Sequence, residues 1–346
     1  MPVAVNAYSV EYAGAPLTPI TLERRDPGRT ELLVDVAYVG VCHSDVHFAR
    51  DDWGISRFPM VPGHEITGVV AAVGPDVTRY VPGDRVGIGN LLDSCRTCAN
   101  CRAGRQQYCL GGAVSTYNSI DRTGTPTAGG YSEKILVEQD YALRVPDALD
   151  LAAAAPLLCA GVTMYSALRH WNAGPGTRVA IAGLGGLGHL GVRFAAAMGA
   201  EVSVLSRTAA KAADSARFGA AHHYTTAEAA GLGGRFDLIV STLSTAADTA
   251  PFLALLATDG TLVMAGAPAA PLTAPVGLLI GGRRSVAGTS IGGIGETQEM
   301  LDFCVAHGIA AEIEVIGADA LDTAFGRLDA ADVRYRLVLD ATTLRT

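Results

Sequence analysis

The sequence predicts an α/β fold organised around a doubly wound parallel sheet. Three observations carry that expectation. The chain has 346 residues, enough for about two domains and a large core. A short uncharged strand, Arg178–Ala182, runs directly into a glycine-rich turn and an alanine-rich helical stretch. The alternation of strand and helix then repeats. Hydrophobic residues make up 49% and charged residues 17%, a balance that excludes a disordered chain.

Taken in order, the first informative segment is Leu32 to Val39, whose β-branched pattern reads as a strand. It delivers Gly40-Val41-Cys42-His43-Ser44-Asp45, and His64-Glu65 follows Pro62-Gly63. Side chains able to ligate a metal therefore sit at strand ends and turns, where a rigid scaffold presents them to a cleft. By residue type alone, Cys42 reads equally as a small buried thiol and His64 as a hydrogen-bonded histidine, so both readings stay open at this point.

Cys95, Cys98, Cys101 and Cys109 form C-x2-C-x2-C-x7-C inside residues 90–116, a Gly-, Arg- and Asn-rich segment without apolar period. Such a loop has no core of its own. Four thiolates close a tetrahedral shell around Zn²⁺, which then supplies the cross-link that packing cannot. The alternatives are two disulfides, which a reducing compartment disfavours, and an iron–sulfur cluster, whose pattern ends C-x3-C-P. A closed structural zinc site is the expectation.

The strand Arg178–Ala182 leads into Gly183-Leu184-Gly185-Gly186-Leu187-Gly188, a G-x-G-x-x-G in the strand-before, helix-after context that binds a dinucleotide pyrophosphate. Glu201–Leu205, Phe236–Ser241 and Thr261–Ala265 read as further strands, with Ala209–Phe218 and Ala250–Ala257 helical between them. After the second strand an NAD site would carry Asp or Glu; here Ser206-Arg207-Thr208 stands, with Lys211 one turn on. No carboxylate repels a 2′-phosphate, and two cations can neutralise one. NADP(H) is the expected cofactor.

Net charge is −8, with no basic run longer than Arg24-Arg25 or Arg283-Arg284, so no nucleic-acid partner is expected. Two uncharged stretches, Leu151–Leu168 and Gly260–Gly282, are broken by proline and glycine and read as buried core rather than membrane spans. Met1–Val10 has neither a basic region nor a cleavable apolar segment, which points to the cytoplasm. Seven cysteines then favour metal ligation over a disulfide framework.

These features together resemble the zinc-dependent medium-chain dehydrogenase/reductase family, most closely its cinnamyl alcohol dehydrogenase branch. Its marks are Gly40-Val41-Cys42-His43-Ser44-Asp45-Val46-His47, Pro59-Met60-Val61-Pro62-Gly63-His64-Glu65, the four-cysteine lobe, Leu157-Leu158-Cys159-Ala160-Gly161-Val162-Thr163, the glycine turn, and Arg283-Arg284-Ser285-Val286-Ala287-Gly288 with Glu296–Cys304. The resemblance implies a mainly β, GroES-like catalytic domain from residues 1–151 and 289–346, with a Rossmann NADP-binding domain, 152–288, inserted between.

The resemblance further implies two zinc ions per chain. One is held by the four-cysteine lobe and the other, catalytic, by Cys42, His64 and Cys159, with Glu65 as an exchangeable ligand. It makes Asp45 an orienter of a ligand imidazole, and Ser44, His47 and Asp52 a proton path. Thr163 and the glycine turn contact the cofactor, and Trp53, Ile55 and Ile291 line a substrate pocket. The implied activity is reversible hydride transfer between NADP(H) and a medium-sized apolar or aromatic primary alcohol or aldehyde. Reduction of a C=C or C=N bond on the same fold is the nearest alternative, and a non-catalytic NADP- and zinc-binding protein the one from another class. A homodimer, paired through an edge strand near Arg334–Leu339, completes the implications.

Overall fold

The computed structural model describes residues 2–244, 248–268 and 270–344. Two compact units are present: Met1–Val162 with Gly292–Thr346, and Thr163–Ile291. The first exchange falls inside the helical run that begins at Leu151, later in the chain than the 151/152 break expected from the sequence.

In the first unit β1 (Val3–Val10) and β2 (Leu17–Arg24) form an antiparallel hairpin. The long strand β3 (Glu31–Val41) alternates half-buried and buried residues over its first half, then is buried at Val39–Val41, as a strand entering the core should be. It pairs antiparallel with β4 (Ile66–Val73), which pairs with β5 (Arg85–Ile88). A small ribbon, β6 (Leu91–Asp93) and β7 (Val114–Ser115), brackets the four-cysteine lobe. β8 (Lys134–Glu138) adds to β3 and β9 (Leu143–Arg144) to β5.

The second unit is a six-stranded sheet, parallel throughout. Its strands are β10 (Arg178–Ala182), β11 (Glu201–Ser206), β12 (His222–Thr225), β13 (Phe236–Ser241), β14 (Leu256–Met264) and β15 (Ser285–Gly288), in the order β12-β11-β10-β13-β14-β15. The order reverses beside β10, where chains run outward in both directions, and that is the switch point at which such sheets bind ligands. Near-continuous burial of β10, β11 and β13 explains why they read as apolar runs rather than alternating ones.

The chain then returns to the first unit. β16 (Ile313–Ile316) pairs parallel with β17 (Arg336–Asp340), and β17 pairs antiparallel with β3. The seven-stranded sheet of this unit is therefore closed by the C-terminal tail.

Two expectations are corrected. The segment Arg334–Leu339 is no free edge, because β17 lies between β16 and β3 with Leu337, Val338 and Leu339 fully buried. Nor is Gly260–Gly282 wholly core. β14 is, but Pro271–Gly277 are exposed, and Val276 and Ile280 are 63% and 77% accessible; Ala269 lies outside the described residues. The three prolines stop this stretch from joining the sheet, and Leu272, Val276 and Ile280 stay outside. Among the described residues no single helix is long and apolar enough to cross a membrane; Leu151–Leu158 and Ala160–His170 meet at a 52° bend.

At Gly188 an added Cβ would stand 1.9 Å from the Gly183 carbonyl oxygen, so the helix Gly188–Ala197 lies on the strand's end only because no side chain intervenes. Gly188→Ala should cost about 2–3 kcal/mol from forced overpacking, read as a lower thermal midpoint. An unchanged midpoint would mean the helix shifts freely.

Candidate functional site

Cys42 ends the turn after β3 and immediately precedes the helix His43–Arg50. Its N–H donates to Asp45 Oδ2 at 3.0 Å. The Asp45 carboxylate has no solvent exposure and accepts three more hydrogen bonds. Tyr131 O–H reaches Oδ2 at 3.1 Å, the Gly63 N–H reaches Oδ1 at 3.2 Å, and His64 Nδ1 lies 3.1 Å from Oδ1. With four donors around it the carboxylate serves as acceptor only, so His64 carries its hydrogen on Nδ1. The Nε2 atom faces the opposite way.

One ligating atom each from Cys42, His64, Glu65 and Cys159 lies within 4.8 Å of the others. Donors around a tetrahedral ion with bonds of about 2.0–2.3 Å sit roughly 3.3–3.8 Å apart, so a set gathered within 4.8 Å needs to contract by about an ångström at most to close on a zinc-sized cation, and its chemistry suits one. The thiols are already polarised. A hydrogen bond from Cys159 holds the Cys42 thiol well below its ordinary range, and that bond, with burial, pushes Cys159 well above its own. Burial opposes charge on His64, yet the Asp45 carboxylate outweighs it and keeps the imidazole's proton affinity high. A bound cation replaces that proton.

Glu65 opens onto β4 and is fully buried, and burial pushes its carboxyl up to about 8 against the opposing pull of Arg336. Arg336 Nη2 stands 2.6 and 2.5 Å from the two Glu65 oxygens. Arg336 is itself 4% exposed and its Nε has no hydrogen-bond partner. Sequence reasoning missed this residue. The signal was a cation heading an otherwise apolar strand, Arg336-Leu337-Val338-Leu339.

In the lobe, the Sγ atoms of Cys95, Cys98, Cys101 and Cys109 also lie within 4.8 Å of one another, with Cys95 and Cys101 at 3.9 Å, and all four thiols are free. Backbone N–H groups point at the sulfurs: Cys98 to Cys95 at 3.4 Å, Cys101 to Cys98 at 3.5 Å, Leu110 to Cys98 at 3.4 Å, and Cys95 to Cys109 at 3.3 Å. These bonds favour thiolates. The Cys98 N–H leads in bringing Cys95 down to about 5, whereas burial takes Cys101 up to about 11. The donor chemistry fits a second four-coordinate cation.

On the helix His43–Arg50, Ser44 is half-buried and His47 Nδ1 lies 2.7 Å from Asp52 Oδ2. Trp53 packs edge-on against Phe48 at 4.9 Å, Phe48 against Tyr117 at 5.4 Å, and Tyr117 against the His64 ring at 5.7 Å. An aromatic row thus runs from the ligand cluster outward. Trp53 belongs to it, and Ile55 nearby in sequence is 61% exposed. Ile291, the last residue of the other unit, is half-buried at φ +33°.

In the nucleotide unit, Thr163 is buried in the helix Ala160–His170. The glycine turn Gly183–Gly188 follows β10, and at Gly185 an added Cβ would meet nothing within 4 Å. The protein's own packing does not require glycine there, so the open space suits the close approach of a pyrophosphate. Leu184 and Leu187 complete the turn, and Gly186 carries it toward the helix. Ser206 ends β11; Arg207 is exposed beyond it, and Lys211 Nζ donates to the Leu184 carbonyl at 3.0 Å. The second cation is thereby tied to the glycine turn.

Two family models match the chain: an alcohol dehydrogenase GroES-like domain over residues 28–147 and a zinc-binding dehydrogenase over 186–306. The chain is 54% identical over 343 residues to NADP-dependent alcohol dehydrogenase C of Mycobacterium bovis, covering 98% of this chain and 99% of that one. It belongs to the zinc-dependent medium-chain dehydrogenase/reductase family. Within that family it falls in the cinnamyl-alcohol-dehydrogenase-like branch. A cinnamyl alcohol dehydrogenase of Sorghum bicolor superposes with a TM-score of 0.95 at 40% identity, over 98% of each chain. The Helicobacter pylori CAD complexed with NADP(H) gives 0.94 at 38%, over 99% of each.

Arg336→Met should strip Glu65 of its ion-pair partner and destabilise the dehydrogenase by about 3–5 kcal/mol, as breaking one side of a buried pair does. Adding Glu65→Gln should recover much of the loss. Denaturant unfolding of the single and double variants checks both; a double variant as weak as the single would show that the pairing is not what matters.

Proposed function

We propose that this chain is an NADP(H)- and zinc-dependent alcohol dehydrogenase and aldehyde reductase. The observation that carries the reading is the set of two thiols, one imidazole and one carboxylate within 4.8 Å, three of them buried and Cys159 half-buried, in a chain 54% identical to an NADP-dependent alcohol dehydrogenase. When bound, zinc supplies a Lewis acid for the substrate oxygen, and NADP(H) supplies or takes up the hydride.

The chain's own residues do the rest. Cys42, His64 and Cys159 hold the catalytic zinc, two thiolates and a neutral ring balancing its charge. Glu65, kept at hand by Arg336, is the exchangeable fourth donor. Asp45 fixes the His64 tautomer through Nδ1. Ser44 takes the alcohol proton at its Oγ and passes it to His47, whose Nδ1 rests on Asp52 and so leads toward solvent. Cys95, Cys98, Cys101 and Cys109 hold a second, structural zinc. Trp53, on the aromatic row that ends at His64, favours medium-sized apolar or aromatic primary alcohols and aldehydes over charged ones. The intact set Cys42, Ser44, His47, His64, Glu65 and Cys159 supports carbonyl chemistry over C=C or C=N reduction.

On the cofactor side, the backbone of Gly183-Leu184-Gly185-Gly186-Leu187-Gly188 takes the pyrophosphate, with Thr163 nearby in sequence to the catalytic ligands. Ser206, Arg207 and Lys211 take the 2′-phosphate.

We further infer a homodimer, joined through β15 rather than β17. β15 is the outer strand of the parallel sheet, and an unpaired edge accepts a second copy of itself about a two-fold axis. Beside it in sequence, Val276 and Ile280 sit one helical turn apart and face outward while Leu278 and Leu279 pack inward on the core.

Cys159→Ala and His64→Ala should each cut NADPH-dependent benzaldehyde reduction on the order of a thousandfold, the worth of several kcal/mol of charge stabilisation. Zinc content should fall from about two to about one per chain. Undiminished turnover by well-folded variants would end the metal assignment. Ile280→Lys should shift light-scattering mass from dimer toward monomer; a parent that is itself monomeric would remove the interface.

A further inference from the structure

The turn that carries Arg207 is clamped on both sides by residues of one neighbouring segment. β12 lies beside β11, with Val204 opposite His223 and Ser206 opposite Thr225. Strand alternation puts His222 and Tyr224 on one face, where their rings stack at 5.6 Å, and turns His223 to the other. There His223 Nε2 lies 3.0 Å from the Thr208 carbonyl. On the opposite side of Arg207, the Thr226 hydroxyl donates to the Ser206 carbonyl at 3.3 Å.

The ring is fixed from behind as well. Its Nδ1 lies 2.6 Å from the buried Ser215 hydroxyl. A carbonyl only accepts, so Nε2 carries the hydrogen that binds Thr208. Ser215 Oγ also stands 3.1 Å from the Lys211 carbonyl, and Lys211 Nζ binds Leu184 in the glycine turn. One connected set of polar contacts therefore joins the glycine turn, Lys211, Ser215, His223 and the backbone flanking Arg207.

We propose that His223 is a positioning residue for cofactor selectivity, holding the Thr208 carbonyl so that, with Thr226 on Ser206, the turn presents Arg207 to a 2′-phosphate. The proposal rests on the reading that Arg207 and Lys211 receive that phosphate. His223 touches no reacting atom. Its effect is confined to ligands that carry the 2′-phosphate, because only those use Arg207.

The test is equilibrium titration of the purified, zinc-loaded enzyme with 2′,5′-ADP and, separately, 5′-AMP, alongside steady-state kinetics with NADPH and NADH. His223→Leu should weaken 2′,5′-ADP by about three- to tenfold, the worth of one ordinary hydrogen bond. Its 5′-AMP affinity should stay within about twofold, and kcat at saturating NADPH should hold while KM rises. His223→Gln, whose amide can donate to Thr208, should recover most of the loss. Thr226→Val, a surface change of similar shape, should shift the same ratio in the same direction and serves if the His223 variants fold poorly. Arg207→Ala combined with His223→Leu should bind 2′,5′-ADP no more weakly than Arg207→Ala alone. Equal losses for both probes, or additive losses in the double variant, overturn the proposal. If Arg207→Ala leaves 2′,5′-ADP binding intact, the underlying phosphate reading fails; if Arg207→Ala loses it and His223→Leu does not, only the positioning role fails.

Discussion

The catalytic unit depends on one buried carboxylate. Asp45 gathers donors from Cys42, Gly63, His64 and Tyr131, four points separated by as much as the span from residue 42 to residue 131. A carboxylate taken out of water without partners would cost several kcal/mol, and four hydrogen bonds offset that cost while locking the groups that make them. The same bonds start the helix His43–Arg50 at Cys42 and turn His64 Nε2 toward the thiols. Fold and ligand geometry are thus set by a single interaction, and neither can relax without the other.

The two cysteine sets solve opposite problems. Cys42 is buried and Cys159 half-buried, so charge is expensive there: the bond between the two sulfurs holds Cys42 low and Cys159 high, and a cation's charge would make two thiolates tolerable. In the lobe Cys95, Cys98 and Cys109 are only half-buried and backbone N–H groups lower Cys95 and Cys98, whereas burial raises Cys101. What the lobe lacks is cohesion, since its only regular structure is the short turns Ala99–Arg102 and Gln106–Tyr108. On the proposed reading a cation at the first set would do chemistry, and one at the second would stand in for a hydrophobic core.

Much of this was legible in the sequence because it is local. The glycine turn, the strand before it, and the C-x2-C-x2-C spacing are each contiguous, and β10 and β13 run over Arg178–Ala182 and Phe236–Ser241 as their patterns required. What was not legible is long-range pairing. β12 is a four-residue edge strand with half-buried residues throughout, so neither alternation nor an apolar run marks it, and His223 was invisible for the same reason. Arg334–Leu339 looked like an edge because its apolar run ends near the terminus. Only the sheet order, β16-β17-β3, makes it interior. Pro271–Ile280 misled in the other direction, since hydropathy cannot say that prolines keep a segment outside the sheet.

The interior position of β17 has a consequence for how the catalytic unit is built. β3 pairs on one side with β4, which begins just after Glu65, and on the other with β17, which begins at Arg336. The register sets Val39 opposite both Ile66 and Leu339, so the sheet itself carries the Arg336 guanidinium to Glu65 across a sequence separation of 271 residues. A shift of one residue in either ladder would turn Arg336 to the other face and leave Glu65 buried without its cation. The tail is therefore part of the ligand site rather than an appendage to it. The two halves of the catalytic unit are thus joined by the β3–β17 ladder, and the Glu65–Arg336 pair is secured within the sheet they share.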